Sequence, residues 1–293
     1  MSKEFTIVVL AKQVPDTRNV GKDAMTPEGT VNRAALPAIF NPEDMNALEQ
    51  ALRIKDQYPA SKVYILTMGP FRAAEVIREG LYRGTDGGIL LTDRRFAGAD
   101  TLATSYAISQ ACRKLNPQII VAGRQAIDGD TAQVGPQVAE KLGWPQITYA
   151  EEIQEITENK ITVLRRLERG IEVVTSTLPC LITVHATAAP CRPRNAKNVM
   201  KFKYAHTDNE EKDPANEGKY LISTDEKPYL KITEWTVDDV GGDENSYGFA
   251  GSPTKVKKVQ NIVFKAKESK VLTGSEADVD SLIGELLANH EIG

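Results

Sequence analysis

Cysteine is scarce here: the 293-residue chain has three, Cys112, Cys180 and Cys191, and none shares a Cys-x-x-Cys spacing. Any disulfide scheme leaves one unpaired, which favours a reducing compartment and makes the cytoplasm the expected location. Histidine is equally sparse and scattered, at His185, His206 and His290. No serine or cysteine sits in a nucleophile elbow or beside an expected base, so a hydrolase triad has no support. Long hydrophobic runs are missing too. Nothing approaches the roughly 20 apolar residues of a membrane span, and the about six apolar residues before Lys12 are too few for a signal-peptide core, so membrane insertion and secretion are not expected. A surplus of positive charge is absent as well: the net charge is −4, which removes the electrostatic case for nucleic acid. Asp128 and Asp130 stand two apart, but the other hard oxygen ligands a divalent ion needs are not evident, and no metal is expected.

What remains is the texture of an ordinary globular chain, 41% apolar and 26% charged, long enough to bury a proper core. Residues 5–10 (FTIVVL), 62–68 (KVYILTM), 88–92 (GILLT) and 119–122 (IIVA) are short continuous apolar runs, the pattern of strands covered on both faces. Helical signals fall between them. Asn41 reads as an N-cap, with Pro42 in the first helical position and Glu43 and Asp44 in the first turn. Gly69-Pro70 launches a second helix that Gly84 stops, and a third spans 100–115. Alternation of this kind implies right-handed βαβ crossovers and an α/β fold with a doubly wound, Rossmann-like parallel sheet. Residues 5–10 should be its central first strand, which brings Leu10, Ala11 and Lys12 to the edge where such sheets hold ligands. Residues 21–37 read as a surface excursion with a short hairpin near Glu28-Gly29.

The most informative stretch is 119–136, IIVAGRQAIDGDTAQVGP: a strand, a polar loop and a helix expected over 131–142. Unpaired N–H groups and the macrodipole at such a helix start favour a phosphate. Gly123, Gly129 and Gly135 permit close backbone approach, Asp130 is the expected N-cap, Arg124 supplies a cation, and Thr131 and Gln133 can add neutral hydrogen bonds. Neither a Walker A loop nor a Gly-x-Gly-x-x-Gly fingerprint is present, so an ordinary capped βα loop stays open as the plainer reading.

Beyond Trp144-Pro145 short strands are expected at 147–149, 153–157, 160–167 and 171–176, an antiparallel extension that 181–185 closes, with Arg165, Arg166, Glu168 and Arg169 on a solvated face. Residues 186–204 form a basic, proline-bearing loop that invites a partner, 206–219 a polar flexible segment. A final amphipathic helix over about 276–288 suits an arm wrapping another subunit. The expected division is an α/β domain over 1–205 and a linker with C-terminal arm over 206–293.

Five motifs in order then identify a resemblance: IVVLAKQVPD (7–16), FNPEDMNALEQALRIKD (40–56), TMGP (67–70), VAGRQAIDGDTAQVGP (121–136) and RPRNAKNVMKFK (192–203). The chain closely resembles electron-transfer flavoprotein beta subunits. That resemblance implies an adenine-nucleotide-binding fold in a heterodimer with an FAD-carrying alpha subunit. It implies a cofactor pocket lined by Leu10, Ala11, Lys12, Asn41, Pro42, Glu43, Asp44, Met68 and Gly69. The pocket's long wall is Gly123, Arg124, Gln125, Ala126, Ile127, Asp128, Gly129, Asp130, Thr131, Ala132, Gln133 and Val134. It places the loop over 192–203 against a partner dehydrogenase, acyl-CoA or similar, and the C-terminal arm on the alpha subunit.

In ordinary members the pocket holds structural AMP; in bifurcating members it holds a second FAD that takes hydride from NADH and serves both the dehydrogenase and a low-potential acceptor, ferredoxin or flavodoxin. The loop over 124–136 with KQVPDT (12–17) is similar to the bifurcating pattern, in which small residues stand at Gly129, Thr131 and Ala132. The expected function is therefore flavin-based bifurcation, active only with the alpha subunit and without a covalent or acid–base catalyst from this chain. The alternatives are a simple AMP-binding carrier and, in another class, an adenine-nucleotide-binding regulatory module with no redox role.

Overall fold

Continuous β-branched and apolar runs do become the central strands. In the computed structural model, which describes residues 4–16, 37–220, 222, 224–254 and 271–290, β1 (Thr6–Leu10) lies between β4 (Lys62–Met68) and β6 (Ile119–Gly123), parallel to both. Ile7, Val8 and Val9 have no exposed surface, as burial on both faces demands. Beyond β4 the sheet continues through β5 (Gly87–Leu91) to β11 (Thr233–Trp235). Beyond β6 come β10 (Cys180–Val184) and β7 (Gln146–Ile156), still parallel, then the antiparallel β8 (Lys160–Leu167) and β9 (Gly170–Thr177). The nine-stranded order is β11-β5-β4-β1-β6-β10-β7-β8-β9.

Alternate side chains of each strand feed two cores. Ile7 and Val9 join Leu48 and Leu52 of α1 (Pro42–Gln57) and Ile77 of α2 (Ala74–Arg83). Val8 and Leu10 join Ile108 and Ala111 of α3 (Thr101–Leu115) and Val138 of α4 (Val134–Leu142). The sheet is thus wound on both faces. The chain runs outward from β1 to β4 and β5, then returns to β6 on the opposite side of β1, and this reversal opens a crevice at the C-terminal ends of β1 and β6.

Several expectations need correction. The strands expected at 147–149 and 153–157 are one strand, β7, whose register against β8 slips twice; bulges of this kind break an alternation pattern without ending a strand. The segment expected to close the sheet is instead internal: β10 sits between β6 and β7 with all five residues buried, which is where a continuous apolar run belongs. Within the basic loop lies a helix, α5 (Ala196–Phe202), capped by Asn195. The polar stretch expected to be flexible is ordered. His206 N donates to Leu230 O and its carbonyl accepts from Ile232 N, and Thr207 forms a capping box with Glu210 at the start of α6 (Asp208–Lys212).

The described residues from 4 to 254 group with the sheet in one compact unit, which β11 and the short α7 (Val237–Val240) extend. Among the described residues, 271–290 belong to a second unit. It holds α8 (Glu276–Ala288), capped by Ser275, with Val279, Leu282, Ile283 and Leu287 exposed. The hairpin expected near Glu28-Gly29 lies outside the described residues. No helix among the described residues is long and apolar enough to cross a membrane.

Candidate functional site

A two-stranded ribbon brings the start of α1 to the end of β1. β2 (Gln13–Pro15) and β3 (Ala38–Phe40) pair antiparallel, and Asn41 N then donates to Lys12 O at 3.0 Å. Asn41 occupies the N-cap position, yet its side chain caps nothing. It reaches across the crevice instead: its amide donates to Gln125 O at 2.9 Å and its Oδ1 accepts from Ile127 N at 3.2 Å. Glu43 accepts from Gln125 N and from the Arg124 guanidinium, both at 3.1 Å. Asp44 accepts from Lys12 N at 2.9 Å and Gly123 N at 3.0 Å. The first turn of α1 thereby fixes the backbone leaving both β1 and β6.

Asp44 is nearly buried, and desolvation pushes its carboxyl up to about 7, against hydrogen bonds from Lys12 N, the Asn41 amide and Gly123 N and with the Glu43 charge adding to the rise. Because the folded state then holds this proton more tightly than the unfolded chain, its contribution to stability is full below about pH 4 and is lost as pH rises toward about 7. Asp44→Asn is expected to remove that decline, read as the difference between the two proteins in denaturant-derived stability across pH 4.5–7.5. Parallel profiles would refute the assignment.

The loop after β6 is tied from several sides. Lys12 Nζ contacts both Asp128 oxygens at 2.8 Å, Gln125 Nε2 donates to Asp130 Oδ1 at 3.0 Å, and Ala126 O accepts from Asp130 N at 2.9 Å. Asp130 is not the N-cap expected of it. Asp130 and Ala132 have φ of 50° and 52°, left-handed values that a right-handed helix cannot contain, so α4 begins three residues later than expected, at Val134. Gln133 precedes it with its side chain engaged by Thr101 Oγ1 at 2.8 Å. The N–H groups of Thr131, Ala132, Gln133 and Val134 donate to no described residue, and they stand at the positive end of α4. Arg124, expected to supply a cation, is paired with Glu43; the uncommitted positive potential along this loop lies in its backbone N–H groups and the helix dipole.

The three glycines divide by cause. A Cβ on Gly123 would lie 2.4 Å from Asp44 Oδ1, and one on Gly135 2.8 Å from Thr183 Cγ2, so both are needed for packing within the chain. Gly129 has nothing within 4 Å, and the chain's own packing does not require it.

Leu10, Ala11, Lys12, Asn41, Pro42, Glu43, Asp44 and the run from Gly123 to Val134 are therefore brought together. Met68 and Gly69 lie to one side: Gly69 N is tied to Leu91 O, and both residues border a cavity of about 410 Å³ with Phe71, Arg94 and Phe96 at the ends of β4 and β5. A larger cavity of about 740 Å³ on the other side is lined by Arg124, Tyr149, Arg166, Leu167, Glu168, Arg169 and His185. Sequence reading missed it, taking its arginines for a solvated strand face. In the basic segment Arg192 pairs with Glu49 and Asp56, and Arg194 with Glu79; these two are internal ties, while Lys197, Met200 and Lys203 are exposed.

An electron transfer flavoprotein domain matches residues 28–208, more than half of the chain. The acryloyl-CoA reductase electron transfer subunit gamma of Anaerotignum propionicum is 51% identical over 98% of this chain and 99% of its own. An electron transfer flavoprotein subunit beta of Thermoanaerobacterium thermosaccharolyticum is 40% identical over 98% of this chain and 100% of its own. The caffeyl-CoA reductase-Etf complex subunit CarD of Acetobacterium woodii is 39% identical over 98% and 99%. With the doubly wound sheet and the open N–H loop at its switch point, these matches place the chain in the electron transfer flavoprotein family, as a beta subunit.

Proposed function

We propose that this chain, in a cytoplasmic heterodimer with an alpha subunit, binds FAD at the loop over 124–134 and passes electrons from NADH to a partner dehydrogenase and to a low-potential acceptor such as ferredoxin or flavodoxin. The observation that supports a dinucleotide most directly is the row of unpaired N–H groups from Thr131 to Val134 beside the open Gly129. These residues fit a pyrophosphate, and Gly129 leaves room for the chain of atoms that FAD carries beyond AMP. A flavin held there supplies reversible one- and two-electron transfer.

The chain's own contribution is positional. Asn41, Glu43 and Asp44 hold the loop's backbone, the Lys12–Asp128 pair closes it across the crevice, and the buried strand ends at Leu10 and Ala11 exclude water from its floor. The named acryloyl-CoA and caffeyl-CoA reductase relatives suggest a partner acting on a CoA thioester. The exposed Lys197, Met200 and Lys203 of the basic segment are the surface proposed to meet it, with α8 as the arm toward the alpha subunit.

Flavin content of the co-expressed heterodimer is the test. Two FAD per heterodimer is the expected result; one FAD with AMP would leave a simple carrier and sink the bifurcating function. Gly129→Leu and Asp128→Ala are expected to lower the beta-site flavin to less than about half while leaving the alpha-site flavin in place. Because no atom lies within 4 Å of a Cβ at Gly129, the leucine variant should also melt within about 1–2 °C of wild type. Undiminished flavin in both variants would remove this loop from the site.

A further inference from the structure

We propose that Thr101, which lies outside the loop over 124–134, is a positioning residue for it: its hydroxyl holds the Gln133 side-chain amide by the oxygen and leaves the nitrogen, a donor, for a phosphate. This rests on the reading above that the loop holds a nucleotide. Thr101 is the first residue of α3, and its place is set from far along the chain. Asp100 caps that helix, its Oδ1 accepting from Leu102 N at 2.9 Å and Ala103 N at 3.0 Å. Asp100 N donates in turn to Ser252 Oγ at 2.8 Å, and Asp100 Oδ2 accepts from Thr254 N at 3.0 Å. Ser252 is buried and donates to Gly248 O at 2.7 Å. The start of α3 is thus pinned on both sides of its cap, so a side chain leaving its first turn has a fixed origin.

A glutamine amide has a donor end and an acceptor end, and its neighbours decide which one is free. Gln137, one turn along α4, brings its Nε2 to 3.5 Å from Thr101 Oγ1, and that hydroxyl lies 2.8 Å from Gln133 Oε1. Gln137 Oε1 is buried without a partner among the described residues. Turning this amide over would bury two N–H donors in the same place, the costlier arrangement. Gln137 therefore donates to Thr101, and Thr101 passes its own proton to Gln133 Oε1. The Gln133 nitrogen then has no partner among the described residues. Its two donors join the N–H groups from Thr131 to Val134 at the positive end of α4. Ionised phosphate oxygens only accept, so an amide presented by its oxygen would repel them.

The variants are Thr101→Val, which keeps the shape and removes the hydroxyl, Thr101→Ser, which restores it, Gln133→Ala, and the double variant Thr101→Val, Gln133→Ala. Each is made in the full heterodimer, and the FAD and AMP left on the protein are counted at set times after dilution, together with Tm. Thr101→Val and Gln133→Ala are each expected to lose the beta-site nucleotide about fivefold faster than wild type, with the alpha-site flavin retained. Their Tm should stay within about 1–2 °C of wild type. Thr101→Ser should retain the nucleotide as wild type does, and the double variant should lose it no faster than Gln133→Ala alone, because Thr101 acts through Gln133. Wild-type retention in Thr101→Val or in Gln133→Ala, or a further loss in the double variant, overturns this role and leaves the proposed function standing. The series reads the same on FAD or AMP, since both carry the phosphate. A wild-type heterodimer with one FAD and no second nucleotide overturns the reading of the loop and this role with it.

Discussion

Glu210→Ala is expected to lower stability by about 3–5 kcal/mol and Tm by about 10 °C. Arg78 and Glu210 are each about nine-tenths buried along their side chains, and they meet in a fork: Arg78 Nη1 donates to Glu210 Oε2 at 3.1 Å and Nη2 to Oε1 at 3.0 Å. Arg78 also donates to Ala205 O at 3.0 Å, and Glu210 Oε2 accepts from Thr207 N at 3.1 Å. Removing the carboxylate leaves a guanidinium in a nearly dry site with one strong partner fewer, together with an unmet N–H at a helix start; both are costly. The attraction itself is not the measure of the loss, because desolvation offsets much of it. For that reason the double variant Arg78→Met, Glu210→Leu should recover a large part of the stability. Denaturant unfolding of wild type, single and double variants checks this, and a single-variant loss below about 1 kcal/mol would show that the pair is effectively solvated.

The second large effect is expected at Gly123. An alanine there puts its Cβ 2.4 Å from Asp44 Oδ1 and 2.7 Å from both Asp44 N and the Glu43 carbonyl carbon. Two of those atoms are backbone of a helix whose first turn is already held to Lys12 and Gly123, so no side-chain rotation relieves the overlap. The helix must move away from β6, at about 3 kcal/mol, the upper end of ordinary overpacking. The same movement pulls Glu43 and Asn41 from the loop they anchor, so loss of cofactor should accompany loss of stability. Gly129→Leu separates the two effects, since it lowers occupancy without strain in the fold. A Gly123→Ala protein with wild-type Tm and full flavin content would mean that α1 does not set the loop.

Much of this site is legible in the residues. Continuous apolar runs mark β1, β4, β5 and β6; Pro42 with Glu43 and Asp44 marks the start of α1; and the glycine-punctuated run after Ile119 marks the loop proposed to hold the nucleotide. These are local signals, because burial on two faces, helix entry and tight approach of backbone each leave a characteristic residue type in place. Where the structure departs from expectation, the cause is a partner distant in sequence. Asn41 has the composition of a cap, but the 125–127 backbone lies within its reach and takes the side chain instead. Arg124 reads as a cation for a ligand, and α1 brings Glu43 beside it. Residues 206–219 are polar enough to be taken for a flexible linker, and become ordered because Glu210 meets Arg78, 132 positions earlier.

The fold class, the central strands β1, β4, β5 and β6 with the helices between them, and the family were legible in the sequence, since each depends on pattern within a few residues or on an ordered set of motifs; the same pattern marked the loop proposed to hold the nucleotide. The left-handed turns at Asp130 and Ala132, the outward ring of Tyr149, the pairing of Arg124 with Glu43 and the internal position of β10 were decided only in the tertiary structure. A residue's charge state, its backbone strain and its hydrogen-bond partner depend on which distant segments pack against it, and that proximity is a property of the assembled sheet.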